Sequence, residues 1–209
     1  GSRSFGSLAE RSRRCPACHN AVSRLTKMPE ILRITDVNHL PLHLHGGVVA
    51  IGNFDGVHRG HRAVLDRALD IAKELGKPAI VLTFEPHPRT VFAPDTPVFR
   101  LTPAHVKARL LEALGFDAVA EQTFTREFAG HSADVFIESV LLGGLKAAHV
   151  VTGFDFHFGK GRQGGPAFLM DSGKRYGFDV TLVDAFRDEG ATVVSSSRIR
   201  DRLAESDVS

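Results

Sequence analysis

An α/β fold built on a doubly wound parallel sheet is what this chain predicts, and three observations predict it. Apolar, β-rich runs alternate with stretches of helical periodicity through most of the 209 residues. Those runs are continuous rather than alternating, as in strands covered on both faces. Three of them lead into loops of unusual composition, and open parallel sheets bind ligands at the carboxyl ends of their strands, where the strand order reverses. With 43% hydrophobic residues the chain can bury a sizeable core.

The elements follow in order. Val48-Val49-Ala50-Ile51 reads as a buried strand, and Gly52 and Gly56 let the chain turn tightly after it. A helix is predicted to begin near Gly60, with His58 and His61 on its first turn. Val64, Leu65, Ala68, Ile71, Ala72 and Leu75 then recur at helical spacing until Gly76-Lys77-Pro78 stops it. Ala79 to Phe84 is a second buried strand. Thr102 and Pro103 are expected as cap and first residue of a helix whose apolar positions are Val106, Leu110 and Leu114, ending at Gly115.

Asp117 to Glu121 is a weaker strand, and Ser132 caps a helix through Leu142. Ala148 to Thr152 is again a buried strand, followed by a short helix over 167–176 that ends at Gly177. Phe178 to Asp184 alternates into a last strand. Ser195 or Ser196 can cap a final helix through Leu203.

The formal charge of +2 hides an asymmetry, because residues 1–27 hold six Arg and Lys against Glu10 alone. The remainder is mildly acidic, with no basic stripe interleaved with aromatics, which argues against polymeric nucleic acid as a partner. No run approaches the ~18 apolar residues of a membrane span and no secretory signal is present, so the expected location is the cytoplasm. Both cysteines fall in Cys15-Pro16-Ala17-Cys18-His19, the C-x-x-C-H pattern of haem attachment and half of a zinc site. Haem attachment requires export and a closed zinc site requires four ligands, which His43 and His45 could complete only by chance placement; no metal site is assigned. Residues 1–27 are set aside as a tail, disordered or non-native, and 28–209 as the functional domain.

The three unusual segments carry the chemistry. Gly52-Asn53-Phe54-Asp55-Gly56-Val57-His58-Arg59-Gly60-His61 joins a strand to a helix start, where unpaired N–H groups favour an anion and Gly60 leaves the backbone open to a nucleotide. Glu85 to Pro103 holds Pro86, Pro88, Pro94, Pro97 and Pro103, so it should be stiff and suited to one wall of a pocket. Gly153 to Gly165 combines Phe154, Phe156 and Phe158 with Asp155, Lys160 and Arg162, and a flat aromatic ligand bearing phosphate would suit it. Ordinary core packing explains Phe84, Phe92, Phe154 and Phe156 equally well, each taken alone.

Familiar phosphate motifs are excluded. The Gly153 to Lys160 spacing misses a P-loop and lacks its hydroxyl residue, no G-x-G-x-x-G follows the first strand, and no H-E-x-x-H occurs. What remains is His-x-Gly-His, with Ser195-Ser196-Ser197-Arg198-Ile199-Arg200 near the other end of the chain. Hydroxyls, helix-start N–H groups and arginine forks are all phosphate ligands.

A strand, then G-N-F-D-G-V-H-R-G-H, then a late S-S-S-R-I-R resembles the nucleotidyltransferase superfamily. Residues 47–204 resemble one branch of it, the FMN adenylyltransferase (FAD synthetase) domain of the prokaryotic bifunctional riboflavin kinase/FAD synthetases. Matching stretches are T-F-E-P-H-P from Thr83, Arg100-Leu101-Thr102 and G-F-D-F-H-F-G from Gly153. The resemblance implies a Rossmann-like sheet of the nucleotidyltransferase type and the reaction of ATP with FMN to give FAD and pyrophosphate, Mg²⁺ entering on the triphosphate.

It implies that His58 and His61 stabilise the α-phosphate. Gly52, Asn53, Phe54, Asp55 and Gly60 would cradle ATP, and Ser196, Ser197, Arg198 and Arg200 would grip its phosphates. Pro88, Phe92, Asp155, Phe158 and Arg162 would lie near the flavin. Two departures stand out: Ser197 replaces the family's usual threonine, and the riboflavin kinase module found in the full enzymes is lacking, so no riboflavin phosphorylation is expected. Two alternatives stay open: a His-x-Gly-His transferase with another acceptor, or a nucleotide- or flavin-binding regulatory module without turnover.

Overall fold

The computed structural model describes residues 31–184 and 196–205. The expectations for residues 1–27, and for Ser195, lie outside these. Among the described residues, six strands form one sheet in which every pair is parallel. They are β1 (Leu32–Ile34), β2 (Val48–Ile51), β3 (Ala79–Glu85), β4 (Ala118–Thr123), β5 (His149–Gly153) and β6 (Asp179–Val183), in the order β1-β4-β3-β2-β5-β6. The chain leaves β2 toward β3 and β4, then returns to the other side of β2 with β5. The order therefore reverses beside β2, and the crevice at the carboxyl ends of β2 and β5 is where a ligand should sit.

Continuous apolar strands make sense in this arrangement because both faces are covered. Val48, Ala50, Val81 and Val119 point into one core cluster with Leu65, Ala68 and Leu111, while Val49, Ile51, Leu82 and Ala120 join Ile137, Leu141 and Leu169 in the other. Successive residues of one strand thus serve opposite layers.

The first layer is α1 (Arg59–Leu75) and α3 (Ala104–Leu114), and α2 (Pro88–Phe92) is a short helix between them in the chain. The expected stripe of α1 is buried at Val64, Leu65, Ala68, Ile71 and Ala72, and Gly76 ends the helix with a left-handed φ of 60°. Leu75 is half exposed. α3 corrects the sequence reading twice. Pro103, not Thr102, occupies the cap position, and the buried face is Lys107, Ala108 and Leu111, leaving Val106 and Leu110 exposed. Periodicity selected the apolar stripe; the helix is instead rotated to bring a lysine inward.

The other layer contains α4 (Arg126–Ala129), α5 (Ala133–Val135), a π-helical continuation over Phe136–Gly144, and α6 (Pro166–Tyr176). Ser132 caps α5 as expected, its Oγ accepting the Val135 N–H. The final helix α7 spans Ser196–Glu205. Sequence reading missed β1, α2 and α4, of three, five and four residues, which are too short to establish a period. Among the described residues no helix is long and apolar enough to cross a membrane.

Candidate functional site

The turn after β2 is held in a conformation that side chains normally avoid. Phe54 and Val57 have φ of 47° and 39°, and Gly56 has φ of 85°. A Val in the left-handed region is strained. Packing holds it there: Phe54 is buried, and its ring lies over Gly52, where an added Cβ would come within 3.0 Å of the ring. Glycine at 52 therefore makes room for Phe54.

His58 is the N-cap of α1 rather than a residue of its first turn, and its Nδ1 accepts the His61 N–H at 3.3 Å. An accepting Nδ1 puts the neutral imidazole's proton on Nε2, which leaves a donor on the far side of the ring. The His58 and His61 rings stack with centroids 3.6 Å apart, and Phe54 meets His61 edge-on at 5.4 Å. Burial pushes the His61 imidazole down from 6.5 to about 3, helped by His58, Lys107 and Arg200 and opposed by Asp55. His58 is lowered by burial first and then by Arg200, again against Asp55. Both are neutral at physiological pH in this structure.

Asp55 does not face the cleft. It is 5% exposed, and its carboxylate accepts the N–H groups of Leu101 and Thr102 and an ion pair from Arg200. Burial opposes its ionisation, but the Thr102 and Leu101 N–H groups and the Arg200 guanidinium outweigh that and hold the carboxyl below the ordinary range. Thr102, expected as a helix cap, instead accepts the Gly56 N–H on its Oγ1 at 3.1 Å. Ser196 Oγ donates to the Asp55 carbonyl at 2.9 Å, and Arg200 Nε donates to the Phe99 carbonyl at 2.7 Å. Asp55 is thus the tie between the turn, the Pro-rich segment and α7.

Beneath the turn lies a buried cation the sequence did not announce. Lys107, 3% exposed, donates from Nζ to Thr83 Oγ1 and Glu85 Oε1, both at 2.9 Å, and to the Asn53 carbonyl at 3.2 Å. Arg100 pairs with the other oxygen of Glu85. The one signal available was the position of Lys107 four residues before Leu111, inside an otherwise apolar face. Asn53 Oδ1 is buried with no hydrogen-bond partner among the described residues.

From the histidines a cleft of about 920 Å³ runs toward the Gly-rich segment. That volume is near the upper end of the ~300–1,000 Å³ typical of small-molecule sites, enough for two substrates side by side. Its far end is aromatic. Phe84, Phe124, Phe128, Phe136, Phe156 and Phe158 form one chain of ring contacts, with Phe92 joined through Phe124 at 5.9 Å. Phe158 is 7% exposed and floors this end; an added Cβ at Gly164 would lie 2.6 Å from its ring. Exposed cations, Lys160 and Arg162, line the rim.

Of the residues singled out in the sequence, Gly52, Asn53, Phe54, His58, Gly60, His61, Pro88, Phe92, Asp155, Phe158, Arg162, Ser196, Ser197 and Arg200 all line this cleft. Asp55 and Arg198 do not. Three segments distant in sequence therefore converge where strand-end topology places a ligand. Sequence reasoning missed Phe124, Phe128 and Phe136, which follow β4 or sit on the π-helix and look like core. It also gave no role to His87 or Arg89, although the stretch was read as one wall of a pocket and Thr83 to Pro88 as a family match. His87 is lowered by burial, then Arg200, against Asp55, with Arg89 and Lys107 adding to the effect.

Known proteins resemble this chain over most of its length. A family model described as FAD synthetase matches residues 41–198. The chain is 41% identical over 160 residues to the bifunctional riboflavin kinase/FMN adenylyltransferase of Escherichia coli K12, covering 77% of this chain and 51% of that one. The namesake of Pseudomonas fluorescens is 41% identical over 170 residues (81% and 54% covered), and that of Bacillus subtilis 36% over 181 (85% and 56%). The chain thus spans about half the length of these relatives.

Among solved structures, a protein described as a macrolide-efflux protein from Streptococcus pneumoniae superposes with a TM-score of 0.70 at 25% identity, covering 83% of this chain and 56% of that one. Pantoate-β-alanine ligase from Francisella tularensis superposes at 0.53 and 14% identity, covering 81% and 73%, a likeness of fold alone. With the family match running from before β2 into α7, across every segment that lines the cleft, the chain belongs to the FAD synthetase family.

Proposed function

We propose that the chain transfers the adenylyl group of ATP to FMN, forming FAD and releasing pyrophosphate. The observation that carries this reading is the continuity of the cleft, which has stacked histidines at a helix start at one end and a wall of phenylalanines at the other. A flavin stacked on the aromatic end would present its phosphate toward the histidines. That phosphate has its second pKa near ~6, so it is largely ionised at neutral pH and needs no general base.

In this reading an FMN phosphate oxygen bonds to the α-phosphorus as the bond from that phosphorus to the bridging oxygen of pyrophosphate breaks. Negative charge grows on the equatorial and leaving oxygens, and fixed donors answer it. His58 would donate from Nε2, the nitrogen left free by its cap bond. Bound phosphates draw the imidazoles toward the charged form, so nucleotide binding takes up protons. Mg²⁺ would enter on the triphosphate, and Asn53 Oδ1, a buried oxygen with no partner among the described residues, is a ligand of the type Mg²⁺ takes. A riboflavin kinase, named together with the transferase in the relatives, would supply the FMN, and the cytoplasm would be the site of action.

The test is to incubate the chain with FMN and MgATP and separate the products by chromatography. FAD and pyrophosphate are expected. Nicotinamide mononucleotide or pantetheine phosphate should give nothing, and product from either would replace FMN as acceptor. His61→Ala should fold and lose about 10²–10³-fold in rate, the usual cost of removing one transition-state donor. A variant of undiminished rate would remove His61 from the chemistry.

A further inference from the structure

Helix α2 presents two kinds of side chain to the same cleft. Pro88 and Phe92 line it, Phe92 meeting Phe124 edge-on, and Arg89 lines it next to α7, its Nη1 donating to Ser197 Oγ at 3.3 Å. The backbone of Arg89 is fixed on both sides: its N–H bonds to His87 Nδ1 at 3.2 Å, and its carbonyl accepts the Ala93 N–H at 2.9 Å. The side chain stays exposed.

Among the described residues, three other cations near this side of the cleft are already committed. Lys107 is buried against Glu85, Arg100 pairs with the same carboxylate, and Arg200 pairs with Asp55 while bonding the Phe99 carbonyl. Asp55 therefore offsets most of the charge Arg200 would bring to a phosphate. Arg89 has no carboxylate partner among the described residues, and its guanidinium donates to a hydroxyl that a phosphate oxygen can share.

We propose that Arg89 binds the terminal phosphates of the nucleoside triphosphate, and the pyrophosphate that leaves, together with Ser197. This rests on the adenylyl-transfer reading above. Guanidinium offers two parallel N–H donors to such a group, and the Ser197 O–H, now accepting from Arg89, can turn to donate beside it. A consequence is coupling between the two ends: fixing Arg89 on phosphate also fixes the helix that carries Pro88 and Phe92. By linkage, pyrophosphate should tighten FMN binding, and FMN should tighten pyrophosphate binding by the same factor.

The experiment compares the wild-type chain with Arg89→Ala and Arg89→Lys. Pyrophosphate is titrated calorimetrically with and without FMN, and KM for MgATP, KM for FMN and kcat are measured. Arg89→Ala should weaken pyrophosphate and raise KM for MgATP about ten- to hundredfold, with KM for FMN moved less than about threefold. Arg89→Lys should recover part of the loss, since it keeps the charge and not the fork. The exposed position predicts an unchanged melting temperature. Pyrophosphate binding within twofold of wild type in Arg89→Ala would overturn the assignment, as would an effect confined to FMN. Should the wild type bind pyrophosphate but make no FAD, the adenylyl-transfer reading falls, while the titration still decides for or against Arg89.

Discussion

His61 and Lys107 are the residues on which the site depends most directly. His61 Nδ1 is buried with no partner among the described residues, and the imidazole is neutral because burial disfavours its charge. Lys107 is charged in the same region, held by Glu85, Thr83 and the Asn53 carbonyl, and so fixes the backbone just before Phe54. Lys107→Met keeps the length of the side chain and removes the three bonds. Glu85 retains Arg100, so the stability cost should be about 1–3 kcal/mol rather than that of a stranded buried charge. Adenylyl transfer should fall further than stability does, because the turn loses its anchor. Denaturant melts and kcat measured on the same samples check this, and a rate unchanged in a destabilised protein would make Lys107 purely structural. Both histidines were legible in the sequence because their spacing and glycine context are local. The role of Lys107 was not, because its three partners lie on segments 22 to 54 residues away.

At the scale of elements, glycine placement shapes the aromatic end. The bridge between Phe158 and Gly164 folds the Gly-rich segment back on itself, and Gly164 is the residue over which the Phe158 ring lies. Gly164→Ala would force that ring away from Phe136 and Phe156, with centroids now 5.0 and 5.4 Å distant. We expect KM for FMN to rise about tenfold with KM for MgATP little changed, measured by steady-state kinetics at saturating partner substrate; such a displacement costs on the order of 1–3 kcal/mol. α3 gives the complementary lesson. Its sequence fits an apolar stripe through Val106 and Leu110, yet those residues are exposed and Lys107 faces in. A periodicity argument assigns every charge to water and cannot see a carboxylate waiting on a neighbouring strand.

At the scale of the whole molecule, four histidines among the described residues have their pKa shifted in the same direction. His58, His61, His87 and His149 are all lowered, with burial the largest cause in each. A group whose folded pKa is below its unfolded value of 6.5 contributes its full stability above that pH, and loses it as pH falls because the unfolded chain binds the proton first. For His61 the loss runs from 6.5 down to about 3. The melting temperature should therefore start to drop near pH 6.5, well before ordinary carboxylates titrate, and His61→Asn should flatten that limb. A wild-type melting temperature constant from pH 7 to 5 would contradict the burial seen here.

The sequence by itself determined the layered parallel sheet and the glycine-rich turn from β2 into α1. Strand burial on both faces, helical period and helix stops are properties of short windows, and β2, β3, β5 and α1 were readable from them. It also marked the glycine- and proline-rich loops, residues of which line the cleft. Tertiary structure alone decided that Asp55 faces inward to hold Arg200, that Lys107 underpins the turn, and that phenylalanines from β3, the end of β4, α4 and the π-helix join those of the Gly-rich segment in one wall. These are pairings across the sheet crevice, and their energies depend on distance and burial that no window of sequence contains. The physical division is between what the backbone's local periods impose and what desolvation makes of charges and rings once remote segments meet.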